Sequence, residues 1–137
     1  MKFIKKNFYL LSIAILLLFV GVLVAFRQNE PDILPLKNRI GGTSMGNEWL
    51  NTKQAIEGLI ENVRKNHDDV KSKIQLSQAY IQEARITGDY DYYDAASIKL
   101  LTSALKQEPE NYEAMATLAT VYLSQHHFKE GLELGKK

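Results

Sequence analysis

The 137-residue chain contains no cysteine, so disulfides, thiol nucleophiles, zinc–thiolate sites and a lipidated N-terminal cysteine are all excluded. It also lacks a glycine-rich phosphate loop, a nucleophile elbow and any histidine pair at metalloprotease spacing. A catalytic centre is therefore not expected, nor is a cofactor. Of the three histidines, His126 and His127 are neighbours whose side chains diverge on a turn or helix, and His67 is distant in sequence. A zinc site needs three or four convergent ligands, so none is expected. An excess of basic charge is missing too. All sixteen acidic residues lie after position 26 with fourteen of the seventeen basic ones, which leaves no basic patch for nucleic acid.

What the sequence does have is one long apolar run, the uncharged stretch from Phe8 to Phe26. About 20 apolar residues in a helix match the hydrocarbon thickness of a bilayer, so residues 8–26 read as a transmembrane helix. Lys2, Lys5 and Lys6 precede the run without any acidic residue, whereas Glu30 and Asp32 follow it closely. The positive side stays inside, so residues 1–7 are expected in the cytoplasm and everything after 26 outside it. A secretory signal cleaved after Ala25 is the rival reading, but the apolar stretch is longer than the usual ~7 to 15 residues and Leu23 is bulky for that site. The expected location is the inner (cytoplasmic) membrane, single-pass, with the remainder extracytoplasmic.

Residues 27–48 contain Pro31, Pro35, Gly41, Gly42 and Gly46 and show no helical period, so they read as a flexible linker. Ile33, Leu34, Leu36 and Ile40 are apolar enough to dock on a surface instead. From about residue 49 to 137, apolar residues recur at helical spacing. Turn signals interrupt them at His67-Asp68-Asp69, Thr87-Gly88-Asp89, Glu108-Pro109-Glu110-Asn111 and Gln125-His126-His127, which implies five helices. In the first, Ala55, Ile56, Leu59, Ile60 and Val63 form one stripe, and Trp49 starts it. Lys53, Glu57, Glu61 and Lys65 alternate in sign at every fourth position, the pattern of a solvated ion ladder rather than an acid–base pair.

An internal repeat is present. Leu76, Ser77 and Tyr80 recur as Leu118, Ala119 and Tyr122, each displaced by forty-two positions. Ala55 and Leu59 belong to the preceding unit, with Pro109 closing the next one. This pattern resembles the tetratricopeptide repeat, a ~34-residue pair of helices A and B, and the resemblance covers about Asn51 to Lys137. It implies an all-α fold: an N-terminal membrane helix followed by an α-solenoid of antiparallel helix pairs, about two and a half repeats long. Two departures stand out. The middle unit is about eight residues too long between Tyr80 and Ala104, which predicts a helix ending near Ile86 and an enlarged turn over Gly88 to Tyr93. Gly131 and Gly135 stand where alanine and a bulky residue are usual, weakening the last helix by about 1 kcal/mol each. That last unit is incomplete at Lys137, so Phe128, Leu132 and Leu134 are expected to be covered by further sequence or by a partner.

The resemblance further implies a concave groove lined by the A helices, in which a peptide or partner helix lies. Its positions fall on Lys71, Ile74, Gln78, Ile81 and Gln82, then Glu113, Ala116, Thr120, Leu123 and Ser124. Some family members clamp a carboxylate terminus with lysine and asparagine. Here Ile74, Gln78, Ala116 and Thr120 occupy those positions and the clamp is absent. Tyr92 and Tyr93, in the stretch expected to form the long turn, are candidate contact residues, with Asp91 as the cap of the following helix. The expected function is a membrane-anchored scaffold for a protein or peptide partner, in envelope assembly such as cytochrome c biogenesis or secretion. A structural oligomerisation module, self-associating through the incomplete last repeat, is the alternative, as is the N-terminal fragment of a longer repeat protein.

Overall fold

A computed structural model describes residues 12–22, 33–40 and 47–136. The chain divides into two units, Met1–Glu30 and Pro31–Lys137. In the first, residues 12–22 form helix α1 with exposed apolar side chains such as Leu16 and Phe19. The described part of α1, eleven residues at ~1.5 Å each, spans about 16 Å. Among the described residues, no helix is long and apolar enough to cross a membrane. The expected transmembrane helix over residues 8–26 is corrected accordingly, and with it the single-pass inner-membrane location. The basic residues 1–7, and the ends of the apolar run at 8–11 and 23–26, lie outside the described residues.

The second unit holds five helices in the expected order: α2 (Asn47–Lys65), α3 (Val70–Thr87), α4 (Tyr90–Gln107), α5 (Tyr112–Ser124) and α6 (Phe128–Gly135). Their ends follow local chemistry. The Asp69 carboxylate accepts from the Ser72 amide at 2.9 Å and starts α3; hydrogen bonds from the Ser72 side chain and then its amide lower the Asp69 pKa. Asn111 does the same for Ala114 at the start of α5. Gly88 closes α3 in the left-handed conformation, φ 76°, and its amide returns to the Ala84 carbonyl. Because α4 begins two residues later, the expected enlarged turn does not exist. The extra length of the middle unit lies instead in two 18-residue helices. Asp91 falls in the first turn of α4 and Asp89 stands at its N-cap.

Two apolar clusters share the central pair α3–α4. The first joins Ile56, Ile60 and Val63 of α2 to Leu76, Tyr80 and Ala84 of α3 and Tyr93, Ala96 and Leu100 of α4. The second joins Val70 and Ile74 of α3 to Leu101 and Ala104 of α4 and Ala114, Leu118 and Val121 of α5. Small residues let the pair close tightly: Ser97 Oγ on α4 donates to the Ser77 carbonyl on α3 at 3.2 Å, and both serines are fully buried. Across the same pair, the buried Lys73 amine donates to Ser103 Oγ at 2.8 Å. The expected stripe of α2 holds except at Ala55, which is exposed. Its exposed face carries the Lys53–Glu57 and Glu61–Lys65 pairs at 3.8 and 3.3 Å. Helix α6 packs against α5 at Gly131, where a Cβ would meet the Leu123 side chain at 3.1 Å.

Candidate functional site

Helix α3 meets α5 directly as well as through α4, and these two helices border an open depression of about 280 Å³. Gln78, Ile81 and Arg85 line it from α3; Ala116, Thr117 and Thr120 line it from α5. Four of the ten expected groove residues, Gln78, Ile81, Ala116 and Thr120, are therefore brought to one place. Polar reach comes from the Gln78 amide, which donates to Glu113 Oε1 at 3.0 Å across the two helices. Lys71 and Gln82 are exposed on α3, and Leu123 is half exposed at the far end of α5.

Two expected positions do other work. Ile74 is 2% exposed and belongs to the second apolar cluster, so it is a core residue and not an open contact. Ser124 Oγ donates to the Asp94 carboxylate of α4 at 3.3 Å. Burial raises the Asp94 pKa, and hydrogen bonds from Ser124 and Gln125 act against it. Arg85 and Thr117 were not among the expected residues. Arg85 lies one helical turn beyond Ile81, on a part of α3 that the enlarged-turn reading had placed near the helix end.

Tyr92 and Tyr93 are helical, in the first turn of α4, and they differ sharply. Tyr93 is fully buried in the first apolar cluster, its ring 5.6 Å from that of Tyr80, so its assignment as an exposed contact is corrected: Gly88 shortens the turn and rotates it into the core. Tyr92 is half-buried, edge-on to Tyr93 at 5.1 Å. Its hydroxyl donates to the Pro35 carbonyl at 2.8 Å.

That bond belongs to a second binding arrangement inside the expected linker. Residues 33–40 have no regular secondary structure and lie on the helices, with Ile33, Leu34 and Leu36 packed against the first cluster. A loose spacer is thus corrected over this stretch, although Ile40 itself is 95% exposed. Tyr80 donates its hydroxyl to the Leu34 carbonyl, and the Lys37 amide donates to the Tyr93 hydroxyl at 3.2 Å. Burial pushes the pKa of both hydroxyls up, so both stay neutral. Arg39 binds Glu83 through Nε at 2.9 Å and a second nitrogen at 2.5 Å, with side chains 11% and 1% exposed, and its guanidinium stacks 3.9 Å over the Trp49 ring. Lys37 meets Asp89 at 2.5 Å and lies 3.8 Å over the Tyr92 ring. These partners raise the pKa of both basic groups, chiefly through the hydrogen bonds to Glu83 and Asp89. They also explain why the Asp89 side chain makes no cap bond to its own helix.

With this geometry in hand, comparison with known proteins bears on about the C-terminal third of the chain. Residues 90–134 match the tetratricopeptide repeat family. The matched span covers α4, α5 and all but the end of α6, whereas α2 and α3 precede it. No curated protein and no solved structure matches the chain. Tetratricopeptide repeats are protein-interaction modules, so the match supports a protein partner in general terms. It carries no information on membrane attachment or pathway.

Proposed function

We propose that the helical unit is an interaction scaffold whose α3–α5 depression receives an extended peptide or a partner helix. The observation that supports this most is the placement of Gln78, Ile81, Ala116 and Thr120 around one open concavity, with Arg85 and Glu113 as charged groups beside it. Alanine and threonine keep the α5 wall low, so a main chain can approach closely. The amide and the two charges offer directional contacts to a ligand of mixed polarity. The envelope setting expected from the apolar run has no place in this reading.

Peptides selected from a random library against the full chain test it. Ala116→Trp, at an exposed position, fills the depression without touching either core and is expected to weaken the selected ligands at least tenfold by fluorescence anisotropy, since each 1.4 kcal/mol is tenfold. Ligands indifferent to Ala116→Trp would place the binding surface elsewhere.

A second reading rests on a separate observation. Leu123, Phe128 and Leu132 are 50%, 61% and 58% exposed at the α5–α6 end, whereas Leu134 is half-buried. Exposed apolar residues clustered at the end of a stack suit contact with another stack. If they mediate self-association, sedimentation of the full chain should be concentration-dependent, and Phe128→Glu should abolish that dependence while leaving the helical circular dichroism unchanged. A monomer at all concentrations removes this reading.

A further inference from the structure

The manner in which residues 33–40 are held differs from the way the helices hold one another. The helices meet through apolar side chains and small residues. The strap packs Ile33, Leu34 and Leu36 on the first cluster and is held besides by its main chain and its cations: Tyr80 and Tyr92 donate to consecutive carbonyls at Leu34 and Pro35, Tyr93 accepts the Lys37 amide, and Glu83 and Asp89 take Arg39 and Lys37. Contacts to main-chain groups of an unpaired segment, with side-chain selection at alternate positions, are the means by which proteins recognise extended peptides. The trough also comes ready-made from the fold. The two-residue turn Gly88-Asp89 brings the acidic end of α3 next to the tyrosine-bearing start of α4, so Glu83, Asp89, Tyr92 and Tyr93 converge regardless of what lies on them.

We propose that Tyr80, Glu83, Asp89, Tyr92 and Tyr93 form a peptide-binding site, distinct from the α3–α5 depression, which residues 33–40 of the same chain occupy in cis. The class of ligand is fixed by the occupant. It is an extended segment with aliphatic residues around a proline, followed by two basic residues two positions apart, as in Ile33-Leu34-Pro35-Leu36-Lys37-Asn38-Arg39. Proline suits such a site because it restricts the free peptide to extended forms and its missing amide asks for no partner. Lysine and arginine suit it because the trough supplies one carboxylate for each.

The test converts the cis ligand into a trans one. A specific protease sequence is inserted between Gly42 and Thr43 of the full chain, the protein is cleaved, and an excess of a fluorescent, end-blocked peptide of residues 33–40 is added. The labelled peptide is expected to enter the cleaved protein and not the uncleaved one, with the helical signal unchanged. Glu83→Gln should weaken entry roughly tenfold or more, because a desolvated arginine would lose its countercharge. Tyr92→Phe should weaken it about fivefold, the worth of one hydrogen bond. Should Glu83→Gln itself lower helicity, the half-buried Tyr92→Phe carries the comparison alone. Failure of the peptide to enter, equal entry of a peptide with Leu36 and Arg39 interchanged, or collapse of the helices once the strap leaves would each overturn the proposal. The last result would make the strap a fixed part of the core.

Discussion

Arg39→Ala should lower the stability of the helical unit by about 3–5 kcal/mol if the strap stays in place, the usual cost of leaving one member of a buried ion pair without the other. Glu83 is 1% exposed and meets the guanidinium through two hydrogen bonds, so it would lose its countercharge while remaining out of water. Lifting of the strap is the way to limit that cost, because Glu83 then regains solvent. The variant is therefore expected to show a lower urea midpoint together with rapid hydrogen exchange at the Lys37 amide, which is bonded to the Tyr93 hydroxyl. Replacing both members, Arg39→Met with Glu83→Leu, should recover most of the stability, since a packed apolar pair of similar volume carries no desolvation cost. A midpoint for Arg39→Ala within 0.5 kcal/mol of the parent would show that the pair contributes only as an exposed one does.

Tyr93→Ala is the other large effect. The side chain is fully buried among Tyr80, Leu100 and Ala96, in ring contact with Tyr80 and Tyr92, and its oxygen accepts the strap amide. Large-to-small changes of aromatic core residues cost about 3–5 kcal/mol, so thermal unfolding should move down by many degrees and some helical signal should be lost at ambient temperature. Tyr93→Phe isolates the hydroxyl and should cost only about 1 kcal/mol. The same truncation at the half-buried Tyr92 should cost less than Tyr93→Ala, and that ordering is measurable by urea titration of the two variants. Equal effects at the two positions would contradict the difference in burial.

Much of the helical unit was legible because its punctuation is chemical. Asp69, Gly88 and Asn111 cap or close helices by their own side chain or backbone freedom, and all four turns fell where such residues cluster. The error over Gly88 to Tyr93 had a definite cause. A family length was allowed to count the surplus residues as loop, although Gly88 followed by Asp89 is sufficient to end one helix and start the next. That misplacement carried Tyr93 outward on paper. Arg85 lies inside the expected helix but outside the groove positions the resemblance supplies, and only its place beside the depression reveals it. The strap was illegible for another reason. Its order depends on tyrosines and carboxylates forty or more positions away, and no local period announces such pairing. The apolar run is legible by composition alone, but among the described residues no helix there is long and apolar enough for the role composition suggests.

The strap's two cationic anchors flank the α3–α4 turn, Lys37 on Asp89 and Arg39 on Glu83. This changes how the chain carries load. Tension applied through the residues before 33 meets both anchors and three tyrosine hydrogen bonds before it runs along the chain into α2, since they lie upstream of Ile40. A single-molecule pull from the N-terminus would thus be borne by the central helix pair together with α2, which the strap also touches at Trp49 and Lys53.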